Sequence, residues 1–166
     1  MGVKRALEMV LDRARERGGE IITYGPLIHN PQVVGFLKSK NISSSRNLEE
    51  FGPSCLCFIS AHGISPRVKD RLRSTGADLC DASCPDVLKV QSTIKKHDRN
   101  GYSTVIFGDR GHTEVEGLLG FTRGNGYVVG GPSEVEEVPE LEKGCLVSQT
   151  TQNLEEYRKG ARVARK

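Results

Sequence analysis

The sequence predicts an α/β fold, two small α/β units with mostly parallel sheets, and three observations carry that prediction. Short apolar segments alternate with helical patterns from one end of the chain to the other. The apolar segments are near-continuous, as in Cys55-Leu56-Cys57-Phe58-Ile59, which is how strands read when both sheet faces are covered. Each segment then passes through a small polar corner into a helix start. Strands joined by helices in this way run parallel, with right-handed crossovers.

Val3, Leu7, Val10 and Leu11, with Ala6 and Ala14, recur at helical spacing, so the chain opens in a helix running to Arg17 and stopped by Gly18-Gly19. No strand precedes this helix, although every later helix has one, so a missing N-terminal strand is expected. Ile21–Tyr24 is a strand and Gly25-Pro26 a turn. Asn30-Pro31 then supplies the N-cap and first-turn proline of a helix to about Lys38, with His29 just before the cap. Ile42 marks a weak strand and Cys55–Ile59 a strong one, leaving through Ser60-Ala61-His62-Gly63. Ser65-Pro66 starts a helix that stops at Gly76.

Asp78–Asp81 is a short strand, and Pro85 opens a helix towards Asn100-Gly101, with Cys84 immediately before it. Ser103–Phe107 is a strand whose polar exit, Gly108–His112, leads to a short helix from Glu114 to Leu119. Tyr127–Val129 is the next strand, followed by Gly130-Gly131-Pro132 and a helical turn from Ser133. Cys145–Val147 then exits through Ser148–Thr151 into a closing helix from Leu154 to about Arg165. The predicted division is residues 1–84 and 85–166, with the turn at Asn100-Gly101 as a second place for a joint.

Composition narrows the function classes. Lys and Arg number 24 against 21 Asp and Glu, a net charge of +3, too small and too interspersed for a nucleic-acid surface. No apolar run approaches the ~20 residues that span a bilayer, and the start lacks a signal peptide's apolar core. The predicted address is cytoplasmic, or a plastid-like compartment if a transit segment is missing. In a reducing compartment Cys55, Cys57, Cys80, Cys84 and Cys145 read as buried, metal-binding or catalytic thiols rather than disulfides.

In open α/β sheets ligands bind beyond the carboxyl ends of strands, where His29, His62, Cys84, His112 and Thr150 all fall. His29 beside a helix N-cap and His62 before Gly63 suit an anion, because imidazolium and free helix-end N–H groups both complement phosphate. As plain structural histidines they would need no ligand. Glu114, two residues after His112, is a candidate general acid if desolvated; otherwise it complements the helix dipole. Cys84, before a helix start, is a nucleophile or a single iron–sulfur ligand, while Cys80 lies within its strand as a core residue. Gln149-Thr150-Thr151 offers hydroxyls for a substrate alcohol, or a capping sequence. A zinc deaminase is disfavoured because no Pro-Cys-x-x-Cys follows the His-x-Glu, and a zinc-dependent hydrolase using His112, Glu114 and Cys84 because the ligand spacing does not support it.

Six stretches in order resemble motifs of the 4-hydroxy-3-methylbut-2-enyl diphosphate reductase family. They are Met1-Gly2-Val3-Lys4-Arg5-Ala6, His29-Asn30-Pro31-Gln32-Val33-Val34, Ser60-Ala61-His62-Gly63, Asp81-Ala82-Ser83-Cys84-Pro85, Gly111-His112-Thr113-Glu114-Val115-Glu116-Gly117 and Ser148-Gln149-Thr150-Thr151-Gln152. The resemblance implies an iron–sulfur oxidoreductase, the last step of the non-mevalonate isoprenoid pathway. Three α/β units would sit pseudo-symmetrically around a 4Fe-4S cluster that reductively dehydroxylates the allylic diphosphate. The products would be isopentenyl and dimethylallyl diphosphates, and the electron donor a ferredoxin or flavodoxin. It further implies that Cys84 is a cluster ligand and that His29 and His62 hold the diphosphate. Glu114 becomes the proton source, with His112 and Thr150 assisting it and contacting the substrate around its hydroxyl.

The family's first cluster cysteine lies directly before the Gly-Val-x-Arg-Ala segment, where Met1 stands here. Its third cysteine, with a Ser/Asn diphosphate-binding motif, belongs to a third unit absent from these 166 residues. One of three expected thiolates is present. The expectation is therefore a reductase whose site is completed by sequence outside this chain, or alternatively an inactive fragment or diphosphate-binding remnant without a stable cluster.

Overall fold

The computed structural model describes residues 2–16, 19–27 and 30–164. Helix α1 (Gly2–Glu16) buries Ala6 and Val10, the apolar stripe that the helical spacing marks. It is followed by β1 (Ile21–Tyr24), α2 (Pro31–Lys38) and β2 (Ile42–Ser45). Asn30 caps α2, its side chain accepting from the N–H groups of Gln32 and Val33. A single 3-10 turn, Leu48–Glu50, capped by Asn47, leads to β3 (Leu56–Ile59). That turn has no apolar periodicity, which is why the pattern does not announce it. Next come α3 (Pro66–Ser74), capped by Ser65, and β4 (Asp78–Asp81).

Every strand pairing in this first sheet is parallel, in the order β2-β1-β3-β4. The near-continuous apolar reading of β3 has a direct cause: all four of its residues are buried, because both sheet faces are covered. Leu56 and Phe58 join Ala6, Val10, Ile21 and Leu37 on one side. Cys57 and Ile59 join Ile22, Phe51, Ile64 and Leu72 on the other. The period-2 alternation of a strand therefore assigns consecutive apolar residues to two cores.

Helix α4 (Pro85–Asp98) leads into β5 (Ser103–Phe107), α5 (Thr113–Leu119), β6 (Gly126–Val129), α6 (Pro132–Val135), β7 (Gly144–Ser148) and α7 (Leu154–Val163). The second sheet is also wholly parallel, in the order β6-β5-β7. Ile106, Val115, Leu118 and Val147 pack on one side of it. Val105, Phe107, Val129 and Val135 pack on the other. The chain divides into two compact units, Met1–Pro85 and Asp86–Lys166, so the Asn100-Gly101 turn lies inside the second. In each, the first strand of the unit is central, flanked by the second and third. Among the described residues no helix is long and apolar enough to cross a membrane.

Gly160 in α7 lies against the Phe107 ring: a Cβ there would stand 2.8 Å from Cε2 and 3.2 Å from Cδ2. Phe107 is fully buried and cannot swing aside. Alanine regains ~1 kcal/mol of helix propensity, but overpacking costs ~1–3 kcal/mol, so Gly160→Ala should be a net loss of up to ~2 kcal/mol. Chemical denaturation of the two proteins measures it, and an unchanged or raised midpoint would show that α7 shifts freely.

Candidate functional site

In the first unit the chemistry-bearing corners leave the carboxyl ends of the neighbouring strands β3 and β4. Their backbones stay joined beyond the sheet: Ala82 N–H donates to the Ile59 carbonyl at 3.0 Å and Cys84 N–H to the Ala61 carbonyl at 2.8 Å. The corners of His62 and Cys84 are thereby held side by side. Gly63 closes the first with a positive φ of 70°, and its N–H donates to the Ser60 carbonyl at 3.1 Å. Such a φ suits glycine and disfavours a side chain.

Around Cys84 the packing is close. A Cβ on Gly2 would lie 2.8 Å from the Cys84 Cβ and 3.0 Å from its Sγ, so only a bare backbone lets the start of α1 rest against this thiol. Arg5, one turn along α1, donates from Nη1 to the Ser83 carbonyl at 3.1 Å. Asp81 accepts from the Ser83 N–H at 3.0 Å and from Lys69 Nζ at 2.6 Å. Burial pushes the Asp81 carboxyl up, but the hydrogen bonds from Lys69 and Ser83 outweigh it and the net shift is downward. The Cys84 corner is thus fixed from α1, α3 and its own strand end.

In the second unit the two corners leave β5 and β7, neighbours in the sheet. Glu114 is 1% exposed. Its Oε1 accepts from the Thr150 N–H at 2.7 Å and its Oε2 from the Thr150 hydroxyl at 2.8 Å. Thr150 itself is an exposed residue, so a buried carboxyl is bonded to a residue at the surface. His112 is the N-cap of α5, its Nδ1 accepting from the Glu114 N–H at 3.2 Å. An Nδ1 that accepts puts the ring proton on Nε2, leaving that edge as a donor. The arrangement brings a buried carboxyl, a hydroxyl and an imidazole together at two adjoining corners.

Sequence spacing brought His112 and Glu114 together, but it carried no sign of the Glu114–Thr150 contact across 36 positions. Gln149, read as a capping residue, is 3% exposed and hydrogen-bonded to both corners. No local pattern marked it, because the bridge depends on β7 lying beside β5. Arg5 was likewise missed. His29 lies outside the described residues.

The five cysteines separate by environment. Burial pushes the Cys55, Cys80 and Cys145 thiols up, and that of Cys57 from 9.0 to about 12. These are neutral packing groups at ordinary pH, unsuited to ligate metal as thiolates. Cys84 is the half-buried thiol at a strand-end corner. Among the described residues no three His, Cys, Asp or Glu side chains group closely enough to hold a metal ion. The described residues therefore do not make up the ligand set of an iron–sulfur cluster; Cys84 is one thiol of that set.

Two parallel sheets with their reactive side chains gathered at strand carboxyl ends define an α/β ligand-binding architecture. The family model described as "LytB protein" matches residues 1–166, and the chain belongs to that family. It is 37% identical over 174 residues to the 4-hydroxy-3-methylbut-2-enyl diphosphate reductase of Opitutus terrae, an alignment covering 99% of this chain and 60% of that one. With the enzyme of the same name from Aquifex aeolicus it shares 38% identity over 160 residues, covering 95% of this chain and 55% of the relative. A solved structure of (E)-4-hydroxy-3-methyl-but-2-enyl diphosphate reductase, described as the terminal enzyme of the non-mevalonate pathway, superposes with a TM-score of 0.87 at 36% identity. That superposition takes in 99% of this chain and 59% of the other. The Plasmodium falciparum reductase, at 23% identity and a TM-score of 0.92 over 99% of this chain and 52% of its own, shares the fold. The chain thus spans between half and two-thirds of the length of these relatives.

Cys57 yields a pH prediction. Its thiol ionises near the ordinary 9.0 when unfolded and near about 12 when folded, so the fold binds the extra proton in that window. The stability it contributes is complete below about pH 9 and is lost as pH rises towards about 12. Cys57→Ala should make the decline of denaturant midpoints between pH 8.5 and 10.5, roughly the lower half of that window, shallower than in the parent chain. Parallel slopes in the two proteins would contradict the assignment.

Proposed function

We propose that this chain carries substrate-holding and proton-delivering parts of a reductase acting on 4-hydroxy-3-methylbut-2-enyl diphosphate, with the cytoplasm as its place of action. The observation that carries the reading is the buried Glu114 carboxyl bonded through both oxygens to Thr150, an exposed residue. The reaction breaks the allylic C–O bond. Two electrons and two protons enter; one proton leaves with the hydroxyl as water and the other joins carbon, giving isopentenyl or dimethylallyl diphosphate.

The named activity of the relatives and the chemistry of the corners support specific roles. Glu114 stores the proton and hands it outward through Thr150 Oγ1, which gives up its own proton to the substrate hydroxyl as it receives one. His112 donates from Nε2 to the same oxygen and so keeps it placed for departure. His29 and His62 complement the diphosphate, whose negative charge an imidazolium and helix-end N–H groups both stabilise. A reduced ferredoxin or flavodoxin is the electron donor the reading calls for. A 4Fe-4S cluster would supply one-electron chemistry, and Cys84 is the residue of this chain that would ligate it; the described residues do not complete its ligand set.

That single thiolate favours one alternative, a chain that binds the diphosphate without redox turnover. Anaerobic reconstitution with iron and sulfide, followed by calorimetric titration with the substrate and by turnover with a chemical reductant, separates the two. The reductase reading expects turnover that falls ~10²–10⁴-fold in Glu114→Gln while diphosphate affinity stays within a few-fold, since the acid acts on the hydroxyl and not on the phosphates. Binding without turnover supports the alternative, and absence of both overturns the two together.

A further inference from the structure

Gln149 has been assigned no part in the proton path, yet its side chain touches both corners that form it. It is 3% exposed at the carboxyl end of β7. Its Oε1 accepts from the Asp109 N–H at 3.0 Å, on the corner that leads to His112. Its Nε2 donates to the Thr151 hydroxyl at 2.7 Å and, at the longer distance of 3.4 Å, to Asp109 Oδ2. The backbone reinforces the same junction: Gln149 N–H donates to the Phe107 carbonyl at 2.9 Å, carrying the β5–β7 ladder past the last strand residue.

The neighbouring corner is shaped to admit this side chain. A Cβ on Gly108 would stand 3.0 Å from Gln149 Oε1 and 3.1 Å from its Cβ, with the Val115 Cγ2 methyl closer still at 2.7 Å. Only glycine there lets the amide lie against the turn. The requirement on position 149 is equally narrow: one acceptor and one donor at a single planar, uncharged end. Glutamate would set a second negative charge beside Asp109, asparagine falls one methylene short, and leucine makes neither bond.

From the bridge the geometry runs directly to the proposed acid. His112 N–H donates to the Asp109 carbonyl at 3.1 Å, so whatever fixes Asp109 fixes the turn that ends in the N-cap of α5. Thr151, at the other arm, adjoins Thr150. We infer that Gln149 is a positioning residue: its amide locks the Gly108–His112 turn to the Ser148–Thr151 corner and so sets the separation at which Thr150 meets the Glu114 carboxyl. The inference rests on the proposed proton path for its importance, but the bridge is measurable without turnover.

The test uses the full 166-residue chain, uniformly labelled with ¹⁵N, in parent, Gln149→Leu and Thr151→Val forms. Amide hydrogen exchange and proton shifts are read at Asp109 and Thr150, and at Ile106 inside the β5–β7 ladder. In Gln149→Leu, exchange at Asp109 and Thr150 should quicken by roughly tenfold, the scale of one lost hydrogen bond, with Ile106 within twofold of the parent. The Thr150 amide proton, shifted downfield by its short bond to Glu114 Oε1, should move upfield. In Thr151→Val, Thr150 should respond while Asp109 does not, because one arm alone is removed. If Gln149→Leu does not fold, the Thr151→Val comparison decides by itself. Unchanged Thr150 protection in either variant overturns the inference, as does a uniform rise that includes Ile106, which would mark Gln149 as general packing. A proton path disproved by the Glu114→Gln assay would leave these exchange results readable, so the two failures are distinct.

Discussion

Parallel strands joined by helices leave a sheet little freedom about where polar chemistry goes. Both faces carry helices, so side chains along β1, β3 and β5 must be apolar on alternate sides, and Phe58 and Phe107 are buried completely. The backbone groups that the ladder leaves over emerge at the strand ends. Polar side chains collect there because water, helix N-termini and neighbouring corners can all satisfy them. The described candidate site residues follow that rule: Cys84 and His62 stand beyond β4 and β3, and Glu114 and Thr150 beyond β5 and β7. Strand adjacency decides which corners meet, and the ladder, by running one or two residues past the strands, sets their spacing.

The two units use the rule differently. In the first, main-chain bonds join the corners and a helix packed on the thiol closes one side. In the second, the corners are joined by side chains. A carboxyl buried at 1% exposure needs hydrogen-bond partners, and one threonine supplies two, from its N–H and its hydroxyl. His112 uses its Nδ1 to cap α5, so the residue beside Glu114 also fixes the start of the helix that carries it.

Much of the fold was legible because its punctuation is chemical. Pro31, Pro66, Pro85 and Pro132 each open a helix, and Asn30 and Ser65 cap two of them, so the helix starts could be read residue by residue. The apolar runs marked the strands for the same reason that they are buried. The 3-10 turn at Leu48–Glu50 escaped notice since a three-residue helix has no period to detect. At the site, His112 with Glu114 and the corner positions of Cys84 and Thr150 were visible from local spacing, and the family resemblance added the role of Thr150 beside Glu114. The contact between Glu114 and Thr150, and the bridge through Gln149, depend on β7 lying beside β5, which no local pattern encodes. A glutamine after a strand looks the same whether it caps a turn or crosses to another corner.

The close packing at Gly2 and Gly108 bears on how variation in related chains should be interpreted. Neither residue has a group that could bind, donate or accept through a side chain, yet each marks a place where a single methyl would collide with a site residue, Cys84 in one case and Gln149 in the other. Natural selection acting on the reaction would therefore hold these two positions as firmly as it holds the reactive ones. Invariance near this site then reports the absence of atoms as readily as their chemistry, and a ranking of positions by how little they vary would place two spectators among the participants.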